Sequence, residues 1–536
     1  MATPSLAMIP SAYADSKVYS VLPNNGDGDF TFNRDSSATR VGQNGLIQTV
    51  GFFGSEKVTN GDFATDSDWT KGSTTTISNG QCTFTASGVA QSLIQGNLWA
   101  ANSLSGKTVK LTYTIVSNNL NVTLFRVGGF SGASGFPVTT LNSEVGTHTV
   151  QIVITSSGGT DNAIDFYIQS AATTGALVLD NVSVKEVLGD QPRLNYDISN
   201  GVVGGCPSLL LEPASTNLVP YSEDLSQSSW LKINAGTGVS PSITNNFAIS
   251  PDGTQNASRV ILNAPSVSPS NLSMIRTNIS GLASPHDSSA SLYIKSNTGD
   301  NYTLLFYNES MSPIQVTANS SWQRIELSST VSSSSDRIHL GLWDFGGITS
   351  DSYADVSIWG AQLEALSYAT SYIPTNGASQ TRAAETCFGA GTASTFNSTE
   401  GTIYWEASAL ADDSIDKRIF LSDGSFNNYV AIGYSRFAGN IIAEMVAGGV
   451  LQTAAFGASG VTKTNNNKYA LSWGGGTMKF YVNGTQTNTE PVTSPTGLNV
   501  LEFNDSSGGL PMYGNTKDLR VYNEALTDAQ LIALTT

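Results

Sequence analysis

Two distant stretches of the chain follow one pattern, and that pattern limits what the chain can fold into. VTNGDFATDSDW ends at Trp69 and VPYSEDLSQSSW ends at Trp230, and each runs through a polar turn, an acidic residue and an apolar residue to the tryptophan. Each is followed later by a similar strand-like segment, ALVLDNVSVKEV in one case and YADVSIWGAQLEAL in the other. A shared beginning and a shared end predict two copies of one β-module, residues 54–190 and 217–367.

Between these ends, both modules alternate apolar and polar residues in short runs separated by Gly, Ser and Asn turns. Such alternation is typical of half-buried strands, and strands at this spacing favour a two-sheet sandwich. The clearest candidate strands are Gln81–Ala86, Thr108–Val116, Val122–Val127, Thr147–Thr155, Ala163–Ile168 and Ala176–Lys185 in the first module, and Ala257–Leu262, Ser289–Ser296, Tyr302–Tyr307, Trp322–Ser328, Arg337–Trp343 and Ala354–Leu363 in the second.

The composition narrows the class of protein. The chain has 536 residues, only 12% of them charged, and a formal net charge of −17, which repels nucleic acid. No stretch approaches the roughly 18 apolar residues needed to cross a membrane, and the N-terminus lacks a basic segment followed by an apolar core. Three widely separated cysteines give no disulfide framework. We expect no nucleic-acid partner, no membrane insertion and no signal peptide, and synthesis in a reducing cytoplasm.

The segments outside the two modules differ in pattern. Residues 1–53 predict an N-terminal anchor and a β-hairpin, because strand-like runs flank the turn GQNG. Residues 191–216 are expected to be connecting strands and residues 368–390 a linker. We expect the hairpin at 29–50 to pair with 191–213, so that the first module is inserted between them.

The anchoring role assigned to the N-terminal segment depends on its apolar side chains. Met8, Ile9, Val18 and Leu22 are expected to be exposed, because the segment is too short to form a domain. Deleting residues 1–28 should then abolish attachment to a larger particle without unfolding the modules.

Residues 391–536 form a third module with closely spaced strands, including a hairpin turn at Tyr481–Gly484. Its tail, TDAQLIALTT, is the one good helix candidate, and Thr527 is its expected N-cap. We therefore predict a third sandwich that is closed by a short helix.

Several of these stretches resemble known families. NGDF, followed by Trp69 and closed by LDNVSV, resembles the jelly-roll carbohydrate-binding modules of glycoside hydrolases. KYALSWGGGTMKFYVNGTQT and MYGNTKDLRVYNEALTDAQLIALT resemble the concanavalin A-like, laminin-G-like family. The order of the whole chain is similar to bacteriophage tail-fibre and other virion appendage proteins, on KVYSVLPNNGDGDFTFNRDSSATRV, GLIQTV, CPSLLLEPASTNLVPYSEDL and TSYIPTNGASQTRAAE.

The resemblance implies an all-β fold, namely an array of three β-sandwich domains of jelly-roll and concanavalin A-like type with an N-terminal anchoring segment. It implies a virion structural protein that attaches to host-surface polysaccharide, forms a homo-oligomer and joins other virion proteins through its N-terminal segment. Two alternatives stay open: a structural spacer or capsid-decorating protein without a ligand, and a polysaccharide depolymerase. A bacterial adhesin is a third, although the missing signal peptide argues against it.

Candidate sugar-binding residues are aromatic side chains with polar neighbours in loop-like segments, since an aromatic ring stacks on the apolar face of a sugar. They are Trp99 in GNLWAANS, Trp343 and Asp344 in GLWDFGG, and Tyr434, Arg436 and Phe437 in GYSRFAGN. The competing interpretation for each aromatic is that it packs in a core. Five other tryptophans lie in strand or strand-start patterns, and we assign them to cores: Trp69, Trp230, Trp322, Trp405 and Trp473.

Calcium is the one cofactor to consider. Jelly-roll modules resembling these often hold a structural calcium through a Glu after the NGxF start and a late Asp. The first module has Ala64 at that position, whereas the second has Glu223, Asp224 and Asp355 in similar places. We therefore expect any calcium to bind the second module, because hard cations need several oxygen ligands.

The sequence holds no recognisable catalytic motif. Its three histidines, His148, His286 and His339, lie in different segments, and no G-x-S-x-G elbow or P-loop occurs. A glycosidase needs only two suitably spaced carboxylates, which 42 acidic residues could supply, but none lies in a catalytic pattern. We expect a protein that is not an enzyme and has no catalytic residues.

Overall fold

Strands make up nearly all of the regular structure. The computed structural model describes residues 2–14, 16–100, 107–120, 124–128, 136–154, 163–169, 173–188, 191–199, 202–413, 415–457 and 460–536. Within these ranges the chain is β-structure with a single α-helix, so the predicted all-β fold class is confirmed. The chain divides into two compact units, one formed by residues 51–189 and the other by residues 1–50 and 190–536 together.

The N-terminal residues belong to the larger unit. Their strands are β1 (Leu6–Met8), β2 (Tyr13–Ala14), β3 (Lys17–Val18), β4 (Phe30–Asn33), β5 (Ala38–Val41) and β6 (Ile47–Val50). β5 and β6 form the hairpin expected around GQNG, in which Val41 lies opposite Ile47. The backbone N–H of Tyr196 donates to the carbonyl of Val41 at 3.0 Å, so this hairpin contacts the segment that follows residue 190.

The smaller unit is a two-sheet sandwich. Its strands are β7 (Phe52–Glu56), β8 (Thr70–Lys71), β9 (Thr75–Ser78), β10 (Gln81–Thr85), β11 (Gln91–Gln95), β12 (Thr108–Asn118), β13 (Leu124–Val127), β14 (Thr139–Thr140), β15 (Gly146–Val153), β16 (Ile164–Gln169) and β17 (Ala176–Leu188). One sheet has the order β9-β10-β17-β12-β15, with β7 also paired to β17, and the other has the order β8-β11-β16-β13-β14. Alternate residues of both sheets fill one hydrophobic core.

Short strands follow the inserted unit, and then comes the second sandwich. The short strands are β18 (Arg193–Asn195), β19 (Ile198–Ser199), β20 (Val202–Val203), β21 (Ser208–Leu211) and β22 (Ser215–Asn217). The sandwich strands are β23 (Trp230–Ala235), β24 (Val239–Ala248), β25 (Ala257–Asn263), β26 (Leu272–Ser280), β27 (His286–Ser296), β28 (Tyr302–Tyr307), β29 (Ile314–Ala318), β30 (Gln323–Val331), β31 (Ser335–Leu342), β32 (Asp344–Phe345), β33 (Ile348–Thr349) and β34 (Tyr353–Glu364).

The two sandwiches have the same topology. The second has the sheet orders β24-β25-β34-β27-β30 and β23-β26-β31-β28-β29, which match those of the first strand for strand. Their opening tryptophans also make the same contact: the indole N–H of Trp69 donates to the carbonyl of Asn60, and that of Trp230 donates to the carbonyl of Tyr221, nine residues earlier in each case. Both rings are buried, as expected from the sequence, and so are Trp405 and Trp473. Trp322 is only half-buried, so its assignment to a core is wrong.

The C-terminal sandwich takes strands from the whole length of the larger unit. Its own region contains β35 (Gln380–Arg382), β36 (Thr386–Phe388), β37 (Gly401–Ala409), β38 (Lys417–Ser422), β39 (Tyr429–Tyr434), β40 (Ile441–Ala447), β41 (Val450–Gly457), β42 (Asn467–Gly474), β43 (Thr477–Val482), β44 (Thr485–Pro491), β45 (Val500–Glu502), β46 (Gly514–Tyr522) and α1 (Asp528–Thr535). One sheet has the order β41-β40-β39-β38-β45, and the other has the order β18-β21-β46-β37-β42-β43-β44.

The N-terminal segment is an integral part of this sandwich. β1 and β21 lie one after the other along the same edge of β46, with Leu6 opposite Val521 and Leu209 opposite Thr516. Met8 and Val18 are fully buried in the sandwich core. The expectation of a free-standing anchor with exposed Met8 and Val18 is therefore wrong, because the strands that cover these side chains come from the far end of the chain.

Helix α1 begins and ends as the sequence predicts. The hydroxyl of Thr527 accepts from the backbone N–H of Gln530, and the Gln530 side chain accepts from the backbone N–H of Thr527. This reciprocal pair satisfies two of the free N–H groups at the start of the helix. No helix in the ranges given above is long and apolar enough to cross a membrane.

A buried ion network joins the short segments of the larger unit. Arg193 donates to Glu385 at 2.8 Å and to Glu212 at 2.6 Å, and Arg34 donates to Glu385 at 2.6 Å. Arg382 lies 2.9 Å from Glu212. Burial alone would raise the pKa of Glu212, but Arg382 and Arg193 lower it to about 2. The described residues of 191–216, namely 191–199 and 202–216, and residues 368–390 thus include packed parts of the fold and are not simple connections.

Candidate functional site

The outward face of one sheet in the second sandwich carries the most suggestive group of side chains. Alternation along β26, β31 and β28 places Ile275, Leu340 and Phe306 in the core. Their neighbours in the chain, Arg276, His339 and Tyr307, therefore point to the other face. Arg276 lies opposite His339 and His339 lies opposite Tyr307, so that the three form a row across three adjacent strands. A cation, an imidazole and a phenol are thus fixed side by side by the sheet.

A hairpin after β31 adds two more rings to this row. Tyr307 stacks on His339 with ring centroids 4.1 Å apart, and Phe345 lies parallel to Tyr307 at 6.3 Å. Trp343 is 4.7 Å from Phe345. Gly346 and Gly347, both with positive φ, form the two-residue turn between β32 and β33, a conformation that glycine adopts without strain. We call Tyr307, His339, Trp343 and Phe345 the aromatic cluster.

The aromatic cluster is uncharged. Burial, together with Arg337 and Arg276, lowers the pKa of His339 to about 3, so its imidazole is neutral at physiological pH. Burial also raises the pKa of Tyr307. Within the described part of the chain, Nε2 of His339 has no hydrogen-bond partner. Trp343 and Phe345 are half-buried, while His339 and Tyr307 lie beneath them. The exposed surface of the cluster therefore consists of the indole and phenyl rings.

A polar depression of about 240 Å³ lies on the same sheet, lined by residues that include Arg276, Asn278 and Arg337. Arg337 forms an ion pair with Glu309. Asp336 is fixed by the backbone N–H groups of Glu309 and Arg337, at 3.2 and 2.8 Å. Among the described residues, Arg276 has no ion-pair partner. The depression thus offers a guanidinium and an amide, and it adjoins the aromatic cluster where Arg276 lies opposite His339. Polar groups next to apolar rings suit a ligand with hydroxyl groups and an apolar face.

Trp343 and Asp344, predicted from GLWDFGG, lie at this place. The indole N–H of Trp343 donates to the carbonyl of Pro269 at 3.2 Å, which orients the ring. Asp344 is half-buried in the hairpin, opposite Thr349. Four residues of this surface are not predicted from the sequence: Tyr307, His339, Phe345 and Arg276. Tyr307 and His339 occupy outward positions in the predicted strands YTLLFY and RIHLGLW, and that alternation was the available signal.

The three residues proposed in the C-terminal sandwich do not form one site. Tyr434 is only 1% exposed and packs against Trp405 and Tyr469 in the core, so its assignment to a sugar-binding surface is wrong. Tyr434 points inward because it alternates with outward-facing residues along β39. Phe437, in contrast, is 52% exposed, and the guanidinium of Arg436 lies 5.3 Å from its ring.

Trp99 belongs to the smaller unit and is half-buried at the edge of its core. Its ring lies 6.1 Å from that of Phe136, and the ammonium of Lys57 lies 5.6 Å from the indole. It also packs against the hydrophobic core of that sandwich. The contacts of Trp99 are those of a core-edge residue, as the competing interpretation held.

The three carboxylates considered for calcium do not fit a metal site. Asp355 is held by Arg259 and Asn297, with Arg259 Nε at 2.9 Å and Asn297 Nδ2 at 2.8 Å. Asp224 accepts from Ser226, and Glu223 accepts from Tyr372 and Asn256. Each carboxylate thus has its own protein donors. In the described ranges, no group of three or more His, Cys, Asp and Glu side chains converges to hold a metal ion.

Glu444 and Glu502 are the carboxylates on the outward face of the β41-β40-β39-β38-β45 sheet that could suggest a glycosidase. Glu444 lies opposite Ala431, Ala431 opposite Phe420, and Phe420 opposite Glu502. Three strand spacings separate them by about 14 Å, whereas the paired carboxylates of glycosidases stand about 5–9.5 Å apart. Glu444 also accepts from Tyr429 at 2.6 Å. This pair is unsuited to act as the acid and base of glycoside hydrolysis.

Comparison with known proteins supports the fold of the C-terminal sandwich. Residues 391–532 match the model of the concanavalin A-like lectin/glucanases superfamily. No curated protein sequence matches the chain.

Three of the similar solved structures are carbohydrate-active proteins or their modules. The CBM40 of the Ruminococcus gnavus IT-sialidase is 19% identical over 28% of this chain and 88% of its own, with a TM-score of 0.24. Domain 4 of AbnA, a Geobacillus stearothermophilus arabinanase, is 15% identical over 28% and 73%, with a TM-score of 0.25. The CBM22 tandem of Paenibacillus barcinonensis Xyn10C is 12% identical over 59% and 98%, with a TM-score of 0.20. The match of residues 391–532 to the concanavalin A-like superfamily agrees with the sandwich found at the C-terminal end of the chain.

Proposed function

We propose that this protein is a glycan-binding subunit of a bacteriophage virion appendage, such as a tail fibre or collar, and that it attaches the particle to host-surface polysaccharide. The observation that carries the glycan-binding part is the aromatic cluster beside the polar depression on the second sandwich. The match of residues 391–532 to a lectin and glucanase superfamily supports the same class of ligand. The virion role rests on the resemblance of the sequence motifs.

Binding would use the exposed rings and the polar groups together. Trp343 and Phe345 would stack on the apolar face of a sugar ring, while Arg276 and Asn278 would donate hydrogen bonds to its hydroxyl groups. A stacked ring contributes about 0.5–1.5 kcal/mol beyond its buried area, so one site binds weakly. A homo-oligomer that presents several copies would gain about 10²–10⁴ in avidity. We therefore propose that the functional form is oligomeric, which light scattering on the purified chain would test.

The decisive test is retention of the purified chain on host-surface polysaccharide. The Trp343→Ala and Phe345→Ala variants should each bind about two- to tenfold more weakly, because each removes one stacking ring. Phe247→Ala is the matched control, since Phe247 is an exposed ring on the other sheet of the same sandwich. Equal binding by all three variants would remove the aromatic cluster from the proposal, and no binding by the unaltered oligomer would favour a structural spacer.

The same incubation separates binding from cleavage. Release of new reducing ends would make the protein a depolymerase, whereas retention without release is the result we expect. For the virion role, antibodies against the purified chain should label an appendage on intact phage particles in electron micrographs. Labelling of cell debris alone would contradict it.

A further inference from the structure

A second depression, of about 640 Å³, lies in the larger unit and shares no lining residue with the aromatic cluster. Its walls come from three distant parts of the sequence: the N-terminal strands, the β5–β6 hairpin and the segment after β18. Its main lining residues are Tyr13, Arg40, Gln43, Asn44, Gln48 and Tyr196. This volume falls within the range of about 300–1,000 Å³ that is usual for ligand sites, whereas the depression beside the aromatic cluster lies below it.

The walls of this depression are held in place by the backbone. The backbone N–H of Val41 donates to the side chain of Asn195 at 2.8 Å, and that of Tyr196 donates to the carbonyl of Val41. Tyr13 lies in β2, opposite Val18 of β3. These contacts fix Arg40 relative to Tyr196 and hold Tyr13 within a strand pair, so each wall of the depression belongs to paired backbone.

Arg40 is the charged group of the depression. Its guanidinium lies 5.4 Å from the ring of Tyr13. Its Nε is buried and has no hydrogen-bond partner within the ranges the structure describes, and no ion pair to Arg40 occurs there. Arg40 as a whole is half-buried, and a guanidinium without an ion-pair partner is available to pair with an anionic ligand. None of the described lining residues is acidic, although the chain has a net charge of −17.

The other lining groups indicate the rest of the ligand. Gln43, Asn44 and Gln48 present side-chain amides, which both donate and accept hydrogen bonds and so suit hydroxyl groups. Tyr13 and Tyr196 present aromatic rings, which suit the apolar face of a sugar. A planar guanidinium binds a carboxylate with two parallel hydrogen bonds. The combination matches a sugar that bears a carboxylate.

We propose that this depression is a second glycan site, which binds a carboxylate-bearing sugar unit of an acidic polysaccharide through Arg40. The inference rests on the proposed function in glycan binding, to which it adds a separate site and a charge preference. It makes binding dependent on ionic strength, because the interaction of exposed opposite charges is screened by salt.

The test uses the full chain, with polygalacturonate as the acidic probe and the same polymer with its carboxyl groups reduced to alcohols as the neutral probe. Arg40→Gln should weaken binding of the acidic probe about tenfold and leave the neutral probe unaffected, because it removes charge-assisted hydrogen bonds. Gln43→Glu, which adds a carboxylate at an exposed lining position, should have the same selective effect. The matched control is Arg126→Gln, since Arg126 also lies over a tyrosine ring, Tyr167 at 4.6 Å, but in the other unit.

The outcomes distinguish this inference from the proposed function. Selective loss of acidic binding in Arg40→Gln and Gln43→Glu, with unchanged thermal unfolding and an unaffected control, supports the second site. The second site is overturned if the unaltered protein binds both probes equally, or if both variants still bind the acidic probe as the unaltered protein does. The proposed function still stands in that case, provided that polysaccharide binding depends on Trp343. If neither probe nor host-surface polysaccharide is retained, both proposals fail.

Discussion

Glu223 shows how a single residue departs from what its sequence context indicates. Burial and the nearby Asp252 raise the pKa of its carboxyl group to about 8. Tyr372 donates to it at 2.8 Å and Asn256 at 2.9 Å, but these two hydrogen bonds do not offset the burial. The residue that a resemblance suggested as a calcium ligand is therefore mainly in its neutral form at pH 7.

This raised pKa has a defined consequence for stability. A carboxyl group whose pKa is higher in the folded state stabilises the fold below its unfolded pKa of about 4.5, and that contribution is lost as the pH rises to about 8. Glu223→Gln replaces the group with one that cannot ionise. We expect the free energy of unfolding of the variant, relative to that of the unaltered protein, to increase between pH 4.5 and 8 and to be constant above pH 8.

Urea unfolding at pH 5, 7 and 9 would measure this difference. Glu524→Gln is the control, because Glu524 is exposed and its replacement should leave the pH dependence unchanged. A difference between Glu223→Gln and the unaltered protein that does not vary with pH would mean that Glu223 is ionised in the folded state.

At the scale of residues, burial could be predicted from the sequence where a local pattern determines whether a side chain lies in the core. Trp69 and Trp230 were assigned to cores correctly because each follows a turn and an apolar residue, which fixes the ring against a carbonyl of the same turn. Tyr434 was misplaced because its flanks look like a loop, whereas it is the last residue of β39. The partners that bury it, Trp405 and Tyr469, lie on strands whose register no local pattern gives.

At the scale of elements, the buried ion network connects short strands that each pair with few other strands. Glu385 accepts hydrogen bonds from Arg34, Arg193 and the backbone N–H of Glu212, which come from three separate segments. In the ion pair between Arg34 and Glu385, both side chains are fully buried. Removing one charge from such a pair leaves the other uncompensated, which costs about 3–5 kcal/mol.

We therefore expect Glu385→Gln to lower the free energy of unfolding of the larger unit by about 3–5 kcal/mol. Glu326→Gln is the control, because the ion pair between Glu326 and Arg324 is partly exposed and such pairs contribute about 0–1 kcal/mol. Denaturant unfolding monitored by tryptophan fluorescence would measure both. Equal effects of the two substitutions would show that the buried network does not hold these segments together.

β1 gives a second prediction for an element. Leu6 and Met8 are fully buried in the core of the C-terminal sandwich. Leu6→Ala and Met8→Ala should each lower the free energy of unfolding by about 2–5 kcal/mol, through lost burial and the cavity that remains. Val21→Ala, at a position that is 52% exposed, should change it little. Unaltered thermal unfolding of Leu6→Ala and Met8→Ala would instead agree with a free N-terminal arm.

Elements were predictable where their own residues alternate clearly. β10 and β12 match their predicted positions closely, because apolar and polar residues alternate along them. β24 was missed, since its sequence VSPSITNNFA is polar and contains a proline, and it is a strand because it pairs with β25. β1 has too few residues to indicate a strand, and its partner β46 lies at the other end of the chain.

At the scale of the whole molecule, the chain enters and leaves the smaller unit at neighbouring positions. Phe52 of β7 lies opposite Leu188 of β17, so the two ends of this unit form part of one antiparallel pair. Opposite residues in such a pair have Cα atoms about 4.5–5.5 Å apart. The smaller unit also has a hydrophobic core of its own, made only from its own residues.

These two facts predict that the smaller unit can be removed without unfolding the larger one. A chain in which a short glycine linker replaces residues 51–189 should keep the thermal transition of the larger unit, because a short linker spans the gap and loop-closure entropy changes little with loop length. Residues 51–189 alone should unfold in a separate cooperative transition. The shortened chain should also keep any glycan binding that depends on Trp343, since that residue lies in the larger unit.

Calorimetry of the complete chain, the shortened chain and the isolated smaller unit would test this independence. A matched deletion of residues 1–50 should abolish the transition of the larger unit, because β1 pairs with β46 and Arg34 belongs to the buried network. Loss of the larger unit's transition in the shortened chain would contradict the prediction. It would mean that the larger unit cannot fold unless the smaller unit is present between β6 and β18.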